Sequence, residues 1–224
     1  MIKELLDVFR SASPLNEAYQ RSGEMLNEDR EMFEEAVRSL RERDDARLEV
    51  DIYTKDQMIN AYEREVRRKI YTHLAVTGGR DLNAGLVLAS VVHDIERIGD
   101  YTKNIVELAL HHPDRLVCGT FEEDVRKIEA TARTMFALLL EAVPEGDISK
   151  SREVMSEHWR LAKRADDIVS ILTERDEESL PGREAVATVL YVRYLKRISA
   201  HLMNVASSVV NPFDRIGFSA KNDD

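Results

Sequence analysis

Apolar residues recur three and four positions apart along most of the chain, the period of an amphipathic helix. From about Pro14 to Arg41 they are Met25, Met32, Phe33, Ala36, Val37 and Leu40, with Ser11 and Ser13 as candidate caps ahead of the proline. Arg43-Asp44-Asp45 reads as a tight corner. A second run, from about Ala46 to Val76, passes through Leu48, Ile52, Ile59, Tyr62, Val66, Ile70 and Leu74. Thr77-Gly78-Gly79 stops it, since glycine favours the position just past a helix end. Asp81 is placed to cap a third helix reaching about Leu110. His111-His112-Pro113-Asp114 ends that one, because a residue before proline is pushed out of helical geometry.

After a connector at 113–120 the pattern starts again. Phe121 to Ala142 reads as a helix broken by Pro144-Glu145-Gly146-Asp147. Ile148 to about Arg175 is the next, ended before Leu180-Pro181-Gly182, and Ala185 to Val210 is the last, stopped by Asn211-Pro212. The expected fold is therefore all-α: six long helices forming two tandem three-helix antiparallel bundles, at residues 1–112 and 120–212, with an irregular tail at 213–224. Residues repeat along with the pattern. At an offset of 100, Arg97, Ile98 and Asn104 recur as Arg197, Ile198 and Asn204, while Ile95 and Ile105 find Leu195 and Val205. Each match falls on the third helix of its triplet, which points to an internal duplication.

Composition narrows the chemistry. Charged residues make up 33% of the 224 and hydrophobic ones 43%, with only 9 Gly and 5 Pro, a balance that favours long helices around a real core. The formal charge is -10 and the acids are spread throughout, so no basic block is present to neutralise nucleic-acid phosphates or anionic lipid. Arg41, Arg43 and Arg47, and Arg64, Arg67, Arg68 and Lys69, are interleaved with acids and read as solvated helix faces. Cys118 is the one cysteine and sits in the connector, so no intrachain disulfide can form. Met1 to Asp7 carries acids and no long apolar stretch, which is not a signal peptide, and no run approaches a membrane span. The expected place is the cytoplasm, with membrane contact only through protein partners.

The segment Asp94-Ile95-Glu96-Arg97-Ile98-Gly99-Asp100, continuing to Asn104-Ile105, resembles the DLERIGD…NI signature on the third helix of a PhoU repeat. The helical organisation resembles that family over about residues 14–212. The resemblance implies a non-enzymatic regulator of phosphate uptake. The implied partners are a phosphate-transporter component, either an ABC-type ATPase or a sodium–phosphate symporter, together with a sensor histidine kinase. It also implies a metal site built from Glu/Asp-x-x-x-Asp pairs, which could take a divalent or trivalent ion such as iron, zinc or magnesium.

On a helix, residues four apart share a face. With Ile95, Ile98, Thr102, Ile105 and Ala109 facing the core, Glu96, Asp100, Lys103 and Glu107 form a polar stripe beside them. Two carboxylates one turn apart repel unless a cation lies between them, which makes Glu96 and Asp100 candidate ligands. The same stripe also fits a solvated face, its acids paired by Arg97 and Lys103. The family's second acidic pair, on the middle helix, falls here on Asp56 and Asn60, an amide standing in for a carboxylate, with Glu63 a possible substitute. In the second repeat Lys196 and Ala200 replace the two third-helix acids, so any metal belongs to the first half. His73, His93, His158 and His201 show no mutual ligand spacing and read as ordinary, partly exposed residues, while His111-His112 reads as a surface cap.

A metal-dependent helical-bundle enzyme or storage protein, and a ligand-free dimerising bundle, are the competing classes. Leu139, Leu140 and Val209 look like more apolar surface than one bundle buries, which suggests a homodimer.

Overall fold

The computed structural model describes residues 2–10, 12–112, 114–174 and 178–219. Ser11, Pro113, Arg175 and the tail from 220 onward lie outside the described residues, and with them the expectations placed there. Among the described residues there are seven α-helices and no strand: α1 (Ile2–Arg10), α2 (Pro14–Arg41), α3 (Ile52–Val76), α4 (Leu82–His111), α5 (Glu122–Glu145), α6 (Ile148–Glu174) and α7 (Gly182–Val210). None is long and apolar enough to cross a membrane.

The chain is all-α, as its periodicity predicts. Helices α2, α3 and α4 pack as one trio and α5, α6 and α7 as another, and the trios meet chiefly along α4 and α7. The meeting is pseudo-symmetric. Phe33 of α2 packs on Phe136 of α5 in a tilted pair with ring centroids 5.2 Å apart, each preceded by a methionine, Met32 and Met135. On the central pair, the Asp94 carboxylate accepts from His201 at 2.8 Å, while Tyr101 meets Tyr194 at 6.4 Å. Positions 94 and 101 correspond to 194 and 201 at the offset of 100, so these two contacts are mirror copies.

Several local expectations need correction. Residues Ile2–Arg10 form a short helix that the reading left unassigned; Leu5, Leu6 and Phe9 are its buried face, lying on α2 and α4. Helix α3 starts at Ile52 rather than near Ala46, and the corner is correspondingly longer. Its anchor is Glu35, a fully buried carboxylate that accepts from Arg43 at 2.8 Å, from Arg38 at 2.9 Å and from the Glu49 amide. Asp51 caps α3 by accepting from the Thr54 amide. Helix α5 runs through Pro144 to Glu145 and ends at Gly146, whose φ of +63° is left-handed, and a Cβ there would lie 2.6 Å from Leu6. Asp81 occupies the N-cap position of α4 but makes no capping hydrogen bond; its carboxylate meets His73 at 3.0 Å.

Charge and burial also redistribute. Arg41 is not solvated, and Arg43 is half-buried against Glu35. The Arg41 side chain is 5% exposed and donates to Glu122 at 2.7 Å, to Glu129 at 2.8 Å and to the Leu116 carbonyl, tying α2 to the second trio. Tyr191 of α7 donates to the same Glu129 at 2.9 Å. Cys118 is fully buried, and burial pushes its thiol above the ordinary value. His73, His158 and His201 are buried rather than partly exposed, and His112, expected in a surface cap, is buried as well. Leu139 and Val209 are buried and Leu140 packs against the core, all within one chain, so they carry no argument for a dimer.

Candidate metal centre

Helix α4 presents its apolar face as the period requires: Ile95, Ile98, Thr102, Ile105 and Ala109 are all buried. The polar stripe beside it does not lie on the outside of the trio. It turns into the seam with antiparallel α3, where Glu96 and Asp100 are half-buried. The antiparallel register brings Asp56 of α3 opposite Lys103, and Glu63 opposite Glu96. The five predicted ligands, Glu96, Asp100, Asp56, Asn60 and Glu63, are thus gathered in one seam, but in two halves.

In one half the Lys103 ammonium donates to both Asp56 oxygens, at 2.9 and 3.0 Å, and lies 3.7 Å from Asp100. Burial disfavours that ammonium, yet the Asp56 bonds outweigh it and raise Lys103 above the ordinary lysine value. Asn60 reaches Asp56 only at 3.5 Å. In the other half, His93 Nδ1 is 3.4 Å from Glu63 Oε1 and 3.9 Å from Glu96 Oε2. Arg67 and Arg97 approach from the exposed side, at 2.8 Å to Glu63, 3.5 Å to Glu96 and 2.6 Å to Asp100. Burial together with Asp100 pushes the Glu96 carboxyl up.

Behind the seam stands a residue the sequence reading missed. Asp29 of α2 is fully buried, and neither of its oxygens has a hydrogen-bond partner. It lies against the α4 backbone at Gly99: a Cβ there would sit 2.9 Å from Asp29 Oδ1, so the glycine of the signature lets the carboxyl approach. Burial, then the charges of Glu96, Asp56, Glu28 and Asp100, push this carboxyl well above the ordinary range. A signal was present: Met25, Asp29, Met32 and Ala36 are spaced four, three and four, which puts an acid on the buried stripe of α2. His93 was also passed over, because its nearest ligand on another helix lies 30 residues away in sequence.

The donor chemistry suits a cation. Buried carboxylates ordinarily find hydrogen-bond partners; among the described residues neither Asp29 oxygen has one, and Glu96 Oε2 has only its ion pairs with Arg97 and His93. Among the described residues the second repeat offers no such unpartnered carboxylate. Lys196 stands in place of Glu96 and bonds Asp166 at 2.6 Å. Ser199, in place of Gly99, sits 2.9 Å from buried His158, whose pKa burial and Lys196 lower to about 4.

The PhoU domain profile matches residues 23–109 and 125–209, one match on each trio. The chain belongs to the PhoU family. Comparison with curated protein sequences finds no match. Among solved structures, PhoU from Pseudomonas aeruginosa superposes with a TM-score of 0.76 at 21% identity, covering 88% of this chain and 95% of that one. The phosphate transport system regulatory protein PhoU from Streptococcus pneumoniae gives 0.70 at 19% identity, covering 88% and 93%. At such identities the likeness speaks for the PhoU fold, while the ligand halves rest on this chain's own residues.

Proposed function

We propose that this PhoU-family chain regulates phosphate transport without catalysing a reaction, by docking on a phosphate-transporter component and holding a cation in the α3–α4 seam of its first repeat. Family membership across both repeats carries the regulatory reading. The buried Asp29 carboxyl, without a hydrogen-bond partner and within reach of the Glu96 charge, supports the cation. The divergence of the two repeats, acid-rich in one and closed by Lys196–Asp166 in the other, gives the molecule two unlike faces for unlike partners. A bound ion would supply positive charge that neutralises the seam and locks α3 to α4. The protein's part is to hold the ligands in register across two antiparallel helices.

Deleting the gene and measuring uptake of radiolabelled phosphate in replete and starved cells tests the regulatory reading. An altered uptake rate restored by the wild-type gene, together with association of the purified chain with a purified phosphate-transport ATPase or symporter, is the expected result. Unchanged uptake and no association with either transporter class would overturn it.

A further inference from the structure

We infer that the cleft between α2 and α5 is a binding site for a neutral, largely apolar small molecule carrying one hydrogen-bond donor. The site is separate from the acidic seam and stands on the junction of the two repeats.

The cleft follows from how the trios meet. Because contact runs chiefly along α4 and α7, helices α2 and α5 are left to touch at the Phe33–Phe136 pair and again at Tyr19, whose hydroxyl donates to the Val143 carbonyl at 2.8 Å. Between these levels lies a space of about 290 Å³, walled by Leu26, Leu88, Val91, Ile95, Leu140 and Val205 from four helices. An apolar cavity of about half that size takes benzene, and ligand sites are ordinarily apolar clefts with a few placed polar groups.

Two features of the wall describe the occupant. Helix α5 runs through Pro144, which has no N–H to give the Leu140 carbonyl one turn back. Leu140, Val143 and Pro144 all line the cleft, so that freed acceptor belongs to its wall, where a ligand O–H or N–H would answer it. Across the cleft, Gly23 lies inside α2, where glycine is a poor helix former, and a Cβ there would meet nothing within 4 Å. No contact among the described residues requires that glycine; its bare backbone lets an occupant lie close against α2.

Charge selects a neutral molecule. At the mouth Arg10 donates to the Pro144 carbonyl at 3.2 Å and lies 3.7 Å from Glu145, so cation and anion answer each other. The wall's hydroxyls are occupied too. Ser22 donates to the Ala18 carbonyl at 3.0 Å, and burial lifts the Tyr19 phenol to about 12, which keeps it uncharged on its bond to Val143. A formal charge of -10 on the chain further opposes an anionic amphiphile.

Titrating the fluorophore N-phenyl-1-naphthylamine, neutral and apolar but for one N–H, into the intact chain tests the proposal. One probe per chain should bind with enhanced, blue-shifted emission, and 1-decanol should displace it at a concentration at least tenfold below that needed of decanoate. Gly23→Phe, which fills the cleft from α2, should weaken probe binding at least tenfold with an unchanged circular-dichroism melt. Leu140→Trp fills it from α5 and should act alike, so the test survives if one variant fails to fold. Absence of saturable binding to the wild type, or binding that persists in whichever filled variant folds, overturns the inference. Decanoate competing as well as decanol overturns the neutral character of the ligand. Each of these results leaves the cation and transport readings to their own assays.

Discussion

Asp29 offers a sharp test of the electrostatics, because a fully buried carboxyl without partners must answer to pH. Its folded-state pKa is raised far above 3.8, mainly by burial and then by Glu96. In the unfolded chain it ionises near the ordinary value. Above that value the folded protein therefore binds more protons than the unfolded one, and stability falls as pH rises. The slope from this one group is about 1.4 kcal/mol per pH unit, continuing until the folded carboxyl loses its own proton. Asp29→Asn keeps the shape and removes the titration. With chelator present, urea unfolding from below pH 3.8 upward should find wild type and Asp29→Asn alike at the lowest pH, where the unfolded carboxyl also keeps its proton. The variant should then gain on the wild type as pH rises, by up to about 1.4 kcal/mol per pH unit while the folded carboxyl keeps its proton. A difference that stays flat across that range would refute the assignment of an unpaired, proton-holding Asp29. Adding the bound ion should shrink the difference, since a nearby positive charge favours the ionised form.

Arg41→Met should lower stability by about 3–5 kcal/mol, because it leaves Glu122 and Glu129 with a lost partner at the junction of the two trios; a fall in the urea midpoint is the readout. His158 should stay neutral down to about pH 4, so its imidazole proton resonances will titrate there rather than near 6.5. Since the unfolded chain takes up that proton first, stability contributed by His158 is lost as pH falls from 6.5 towards 4. Cys118, buried and with its thiol pushed up, should resist iodoacetamide at neutral pH in the folded protein and react once urea unfolds it; rapid native labelling would contradict its burial.

The helical period alone determined the six long helices, their glycine and proline stops and the duplication, because each is a local consequence of backbone geometry and side-chain spacing. The face of α4 was equally legible: Ile95 to Ala109 point inward as counted. Short segments were less so. Helix α1 has only nine residues, too few for its period to stand out, and it is held by Leu5, Leu6 and Phe9 against the finished bundle. Five acidic or amide residues of the seam could be named from their motif, but their division could not. That division depends on antiparallel register, which sets Lys103 between Asp56 and Asp100 and places His93 beside Glu63. The burial of Arg41, Glu35 and Asp29 is likewise a product of tertiary packing. A charged residue reads as solvated when only its own helix is known, and a neighbouring helix decides whether it meets water, a partner or neither.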